Sequence, residues 1–156
     1  MDHINRIVEN GADVEPVYAK KKGLIPMRRA GDLIFVSGHG PENPLTAEPL
    51  YVGRVGEDLT PEEGYAAAKQ CALLILGALK DNLGSLDMVE RVLKVFAFVN
   101  CGEGFNDING VMDGFSDTIV SVLDERGLHA RTVVGTRNLP NRNMPVEVEI
   151  IVSVRP

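Results

Sequence analysis

The sequence predicts an α+β domain in which one β-sheet carries two helices on one face. Three observations lead there. Short β-branched runs stand at 33–38, 91–100, 131–136 and 146–154, while two longer stretches, 60–84 and about 106–126, repeat apolar residues at helical spacing. The elements follow the order β-β, helix, β, helix, β-β, with no internal repeat and no low-complexity segment. Two helices cover only one face of such a sheet, yet several strands are apolar on both faces. A homo-oligomer with sheets packed together at its centre follows from that mismatch.

Each element has its own local cause. "MDHINRIVENGA" places Ile4, Ile7 and Val8 at helical spacing and stops at Gly11, a short amino-terminal helical extension over 1–11. "RAGDL" reads as a tight turn between two strands, with Gly31 supplying a positive φ. "LIFVSG" is apolar on both alternating faces. Residues 39–58, rich in Gly, Pro and Asn, read as loop with a short strand near "YVGRVG". The first long helix has Thr60 as N-cap, Pro61 in the first turn and Glu63 closing a capping box. Ala68, Ala72, Ile75, Leu76, Leu79 and Leu83 share its inner face, and Gly84 ends it. In "RVLKVFAFVN" alternation places Val92, Phe96 and Phe98 on one face and Leu93, Val95 and Val99 on the other. The second helix buries Ile108, Met112, Phe115, Ile119 and Leu123 and stops at Gly127. "RTVVGT", the loop "NLPNRNMP" and the strand "VEVEIIVSV" complete a single domain over 1–156.

Composition narrows the function. The chain has 156 residues, enough to bury a core without disulfide or metal support. Its net charge of −6 argues against a dedicated nucleic-acid binder. The basic cluster Lys20, Lys21, Lys22, Arg28 and Arg29 is short and reads as a solvated strand edge. Cys71 and Cys101 form no CxxC pair and read as small buried hydrophobes, Cys101 partly exposed. "MDHINRIVEN" has an acid near its start and no apolar core of the kind a signal peptide needs. No apolar run reaches membrane-spanning length, so no membrane partner is expected and a reducing cytoplasm is the expected location. His3, His39 and His129 lack metal-ligand spacing, and no metal site is predicted.

Charge inside the last two strands is the functional clue. Glu147 and Glu149 share one face of the final strand, opposite Val146, Val148, Ile150 and Val152, and Ile151 continues their face. Arg131 opens the preceding strand, and a hairpin between the two would bring guanidinium and carboxylate together. That arrangement has two readings: a surface ion pair worth about 0–1 kcal/mol, or a small anion site. In the second, Arg131 grips a carboxylate and a half-desolvated Glu handles a proton. His39 reads as a surface residue of a Gly/Pro loop, and His129, two residues before Arg131, as a neighbour able to tune it.

Taken together, "AGDLIFVSGHGP", "DLTPEEGYAAAKQCALLILGALKDNLGSLDMVERVLKVFAFVN" and "HARTVVGTRNLP…VEVEIIVSV" resemble the RidA/YjgF (L-PSP endoribonuclease) family. The resemblance is closest to its endoribonuclease L-PSP/chorismate mutase-like branch, over about residues 12–155. It implies a chorismate-mutase-like fold, assembled as a homotrimer around a central β-barrel, with ligand clefts at the subunit interfaces. It also implies hydrolysis of small reactive 2-imino or enamine acids to 2-keto acids and ammonia, with no cofactor or metal. Matched motif by motif, Arg131 stands where the family arginine pairs with the substrate carboxylate, and Glu147 where the family glutamate orients water. Ser37 and Gly38 line the cleft, and the Val133 amide is a further donor. His39 and Asp113 are candidate cleft neighbours. Two departures bear on activity: Leu24 falls near the place of the family's cleft tyrosine, with Tyr18 too far upstream, and Asp113 stands where many members carry Asn. On the helix pattern Asp113 reads as a solvated acid. The alternative function is a non-catalytic trimer that binds small metabolites and regulates a partner. Endoribonuclease activity is disfavoured by the acidic charge, and chorismate mutase activity by the lack of cations beyond Arg131.

Overall fold

The computed structural model describes residues 23–156. The helix expected over 1–11, Tyr18 and Lys20–Lys22 lie outside the described residues. The strands are β1 (Met27–Ala30), β2 (Leu33–His39), β3 (Val89–Asn100), β4 (Ala130–Thr136) and β5 (Val146–Val154). The two long helices are α1 (Pro61–Leu83) and α2 (Ile108–Leu123). The sheet runs β1-β2-β5-β3-β4 and is mixed, since β3 and β4 are parallel and the other pairs antiparallel. No helix among the described residues is long and apolar enough to cross a membrane.

Local rules explain the helix ends. The Thr60 side chain accepts from the Glu63 amide while Glu63 accepts from the Thr60 amide, the reciprocal capping box expected from the sequence. Gly84 closes α1 in the left-handed region at φ 78°. In α2, Asp107 caps the first turn. That helix ends at Leu123, four residues before the expected stop, and passes into a 3-10 turn over Asp124–Gly127. Tertiary bonds hold the turn: Arg126 Nη1 donates to the carbonyls of Leu86 and Val89. The short strand expected near 51–56 is absent, and Val55 makes only isolated bridges to Leu59 and Cys101.

Both helices pack on one face of the sheet. Cys71, Ala72, Ile75, Leu76 and Leu79 of α1 and Met112, Phe115 and Ile119 of α2 are fully buried, as are Ile34, Val95, Ala97, Val99, Val148 and Val152 of the strands. The register of β3 against β5 shifts between Val89 and Arg91 and again between Val92 and Lys94. These bulges correct the expected faces of β3. Val92 joins Val95, Ala97 and Val99 in the core, while Leu93 is exposed and Phe96 and Phe98 are half-buried on the other side. That second face carries Phe35, Phe96, Phe98, Val134 and Ile151, and no element among the described residues covers it. The exposed Arg28 and Arg29 stand on the edge strand β1, as a solvated edge would have them.

Candidate functional site

The two residues at the centre of the sequence argument lie on opposite faces of the sheet. Arg131 is in register with Val95, and Val95 with Ile150, which puts Arg131 on the helix face. Glu147 is in register with Phe98, and Phe98 with Val134, on the open face. Strand β3 lies between β4 and β5, so the expected hairpin of the last two strands does not form. Two strand spacings and a three-residue offset separate the two backbones by roughly 14 Å. Within one chain Arg131 and Glu147 therefore neither form an ion pair nor share one small ligand. The cause is the parallel β3–β4 pairing, which local sequence does not encode.

Arg131 is instead held by α2. Its Nη1 forms an ion pair with Asp113 Oδ1 at 2.9 Å and donates to Ser116 Oγ at 3.0 Å, and its Nη2 donates to Asn109 Oδ1 at 3.4 Å. Asn109, Asp113 and Ser116 recur at i, i+4 and i+7 on one helix face. That polar stripe was visible beside the apolar one, but only the β4–α2 packing reveals what it faces. Asp113 is thus the arginine's partner, where the sequence suggested a solvated acid. Ser116 Oγ also lies 2.9 Å from His129 Nε2, and His129 Nδ1 lies 2.6 Å from the Gly127 carbonyl. The carbonyl accepts from Nδ1–H, so Nε2 accepts the Ser116 hydroxyl proton. Burial holds the His129 pKa below 6.5, outweighing the upward pull of the Gly127 carbonyl, and the Arg131 charge adds a lesser downward push, which favours the neutral imidazole for that role. Nη1 is thus taken up by Ser116 and Asp113, while Nε makes no hydrogen bond among the described residues. On the side-on edge of this largely buried guanidinium, Nη2 keeps only the long bond to Asn109 and Nε none.

Glu147 occupies a second locus. It is half-buried, and desolvation, then Glu42 and Glu149, raise its carboxyl above 4.5. Gly38 lies directly beneath it, and a Cβ built there would collide with Glu147 Oε1. A glycine is what allows this carboxylate to lie against the β2 backbone. Ser37 Oγ is turned away and donates to the Ile25 carbonyl at 2.7 Å. Across Ser37 and Gly38 the register of β2 against β5 shifts, and that bulge brings His39 to the core side. The expected surface histidine is 1% exposed, its Nδ1 2.6 Å from the Ser37 carbonyl, and burial lowers its pKa.

Sequence reasoning missed Glu42, which is 6% exposed and accepts a hydrogen bond from Asn141 Nδ2. Asn141, Arg142 and Asn143 are consecutive left-handed residues, at φ 49°, 62° and 64°. Asn tolerates that region, and Asn143 is tied down by Asn100 Nδ2 at 2.8 Å and by the Gly53 amide at 2.9 Å. "NRN" in a loop was the available signal, but its partner lies 99 residues away in sequence.

Val133 of β4 is half-buried on the core side, on the edge strand beside Arg131. Leu24, near the place of the family's tyrosine, is 42% exposed. No group of three or more His, Cys, Asp or Glu side chains among the described residues could hold a metal ion.

The raised carboxyl has a measurable consequence. The folded state holds the Glu147 proton more tightly than the unfolded chain, so this group's contribution to stability is present below pH 4.5 and lost as pH rises through its elevated folded value. Glu147→Gln is expected to melt at a higher temperature than the native chain at pH 8, with the gain gone at pH 4. An equal or lower melting temperature at pH 8 contradicts this.

The fold and the two loci define a class: an α+β chain of chorismate-mutase-like architecture, with an arginine clamped at one sheet edge and a desolvated glutamate on the open face. The chain belongs to the YjgF family. Residues 4–153 match the family model described as "YjgF/chorismate_mutase-like, putative endoribonuclease". It is 40% identical over 126 residues to Protein TCP17 of Trypanosoma cruzi, covering 80% of this chain and 77% of that protein. The crystal structure of Atu1372 from Agrobacterium tumefaciens, a protein of unknown function, superposes with a TM-score of 0.84 at 32% identity, over 99% of this chain and 95% of that one. A Shewanella oneidensis structure described as a "putative endoribonuclease" gives a TM-score of 0.83 at 25% identity, over 96% and 97% of the two chains.

Proposed function

We propose that the protein is a hydrolytic deaminase of small 2-imino or enamine acids, acting as a homotrimer around a central β-barrel, with no cofactor or metal. The observation that carries this reading is the clamped Arg131, whose Nη1 is taken up by Asp113 and Ser116 of α2, whose Nη2 keeps only a long bond to Asn109, and whose Nε makes no hydrogen bond among the described residues. The open sheet face supports assembly. Phe35 and Val134 are 45% and 40% exposed there, and a second copy is the economical cover for them. Because Arg131 and Glu147 are separated within a chain, the cleft joins the Arg131 edge of one protomer to the Glu147 face of the next.

In that cleft Arg131 holds the substrate carboxylate, with the Val133 amide, Ser37 and Gly38 as further walls. A water adds to the electrophilic C2 and gives its proton to Glu147. Glu147 returns the proton to nitrogen, the C–N bond breaks as the carbinolamine hydroxyl gives its proton back to Glu147 and becomes the carbonyl, and Glu147 passes that proton to the departing ammonia, leaving ammonium and the 2-keto acid. A carboxyl raised above its ordinary value is suited to these transfers near neutral pH. The iminium carbon is already electrophilic, so orientation supplies most of what catalysis needs.

The test combines sedimentation equilibrium with ammonia release from 2-iminobutyrate formed in situ by a threonine dehydratase. A trimer that accelerates release above buffer is expected. A monomer at micromolar concentration, or no acceleration across several amino-acid precursors, overturns the reading. A non-catalytic metabolite-binding trimer is the second reading, favoured by Leu24 near the place of the family's tyrosine. It predicts thermal stabilisation by 2-keto acids without turnover. Salt-sensitive RNA cleavage lost on removal of Arg131 would instead support the ribonuclease description of the relatives, against the net charge of −6.

A further inference from the structure

We infer that Asp113 makes the Arg131 site selective for ligands bearing a cationic nitrogen beside their carboxylate, over the same carbon skeleton bearing a neutral carbonyl. The inference rests on the reading of Arg131 as the carboxylate binder and adds the residue that discriminates substrate from product.

The argument is one of charge and depth. Asp113 Oδ1 stands 2.9 Å from Arg131 Nη1, so the pair is close to neutral as a unit. The Arg131 side chain is 19% exposed and that of Asp113 is 52%, so the acid stands nearer the solvent than the arginine. A simple carboxylate approaching the side-on edge of Arg131 meets an attractive and a repulsive charge at similar range. A protonated 2-imino acid places its carboxylate against the guanidinium and its cationic nitrogen within reach of Asp113. Both of its charges then find opposites. The 2-keto acid product has lost that nitrogen, so the site repels what it has made. Half-exposure screens the effect, which sets its scale at up to about fivefold.

Two neighbours make Asp113 separable from the rest of the clamp. Ser116 holds Nη1 at 3.0 Å without it, and an Asn at 113 keeps an acceptor oxygen for the same nitrogen. Asp117, one turn further along α2, accepts from the Tyr65 hydroxyl at 2.8 Å and so serves as a charge control on the same helix.

The experiment is calorimetric titration of the full-length protein with 2-oxobutyrate and with 2-aminobutyrate, which share a skeleton and differ in charge pattern. It compares the native chain, Asp113→Asn and Asp117→Asn. The native protein is expected to prefer the zwitterion. Asp113→Asn should bind 2-oxobutyrate up to about fivefold tighter and lose that preference, while Asp117→Asn keeps the native ratio. If both ligands bind and Asp113→Asn leaves their ratio unchanged, the selectivity role falls while the arginine reading stands. An equal shift in Asp117→Asn assigns the effect to helix charge in general and also overturns it. If neither ligand binds the native or the Asp113→Asn protein, the arginine reading fails and this inference with it.

Discussion

Arg131→Ala is expected to reduce kcat/KM for 2-imino acid hydrolysis by about 10²- to 10⁴-fold, to the level of buffer in a routine assay. The figure follows from two charge-assisted hydrogen bonds to the substrate carboxylate, each worth about 1.5–3 kcal/mol. The same change leaves Asp113 without its partner at 2.9 Å, but that acid is half-exposed and regains water, so folding should be little affected. Arg131→Lys separates charge from geometry. It retains the positive charge and loses the side-on fork, and an intermediate loss is expected. Steady-state ammonia release, with thermal denaturation run beside it, decides the matter. Near-native turnover in the alanine variant would show that the clamped guanidinium only braces α2 against the sheet edge.

Phe115→Ala is the largest expected effect on stability. The side chain is fully buried among the core residues of α2 and the sheet. Truncating such a ring removes its transfer free energy and leaves a cavity, for a loss of about 3–5 kcal/mol. For a chain of this size that corresponds to a fall in melting temperature of roughly 6–20 °C. Phe115 also meets His129 edge-on, with ring centroids 6.5 Å apart, and is the sequence neighbour of Ser116. The variant should therefore loosen the Arg131 clamp as well as the core. Ligand affinity is expected to fall more than it does for a core truncation on α1, such as Leu79→Ala. A loss below 1 kcal/mol in urea denaturation would mean that the core closes over the deleted ring.

Much of the architecture was legible because its causes are local. Thr60, Pro61 and Glu63 specify where α1 begins whatever surrounds them, since the capping box closes within four residues. Gly31 marks the β1–β2 turn because a positive φ there, 63°, suits glycine. The buried stripes of both helices follow from the 3.6-residue period alone. The family patterns carried Arg131, Glu147 and Asp113 to positions where chemistry was expected, but not to their neighbours.

What the chain alone determined, then, was which segments are helices and strands, which faces are apolar, and that charge sits where a sheet should be dry. Tertiary structure decided the rest. The insertion of β3 between β4 and β5 puts Arg131 and Glu147 on opposite faces. Bulges turn His39 inward and reassign Val92, and the packing of α2 against the β4 edge gives Arg131 to Asp113 and Ser116. The physical reason is separation along the chain. Capping and periodicity are satisfied within a few residues, whereas register, strand order and charge pairing join groups 15 to 99 residues apart and exist only once the sheet has closed over its core.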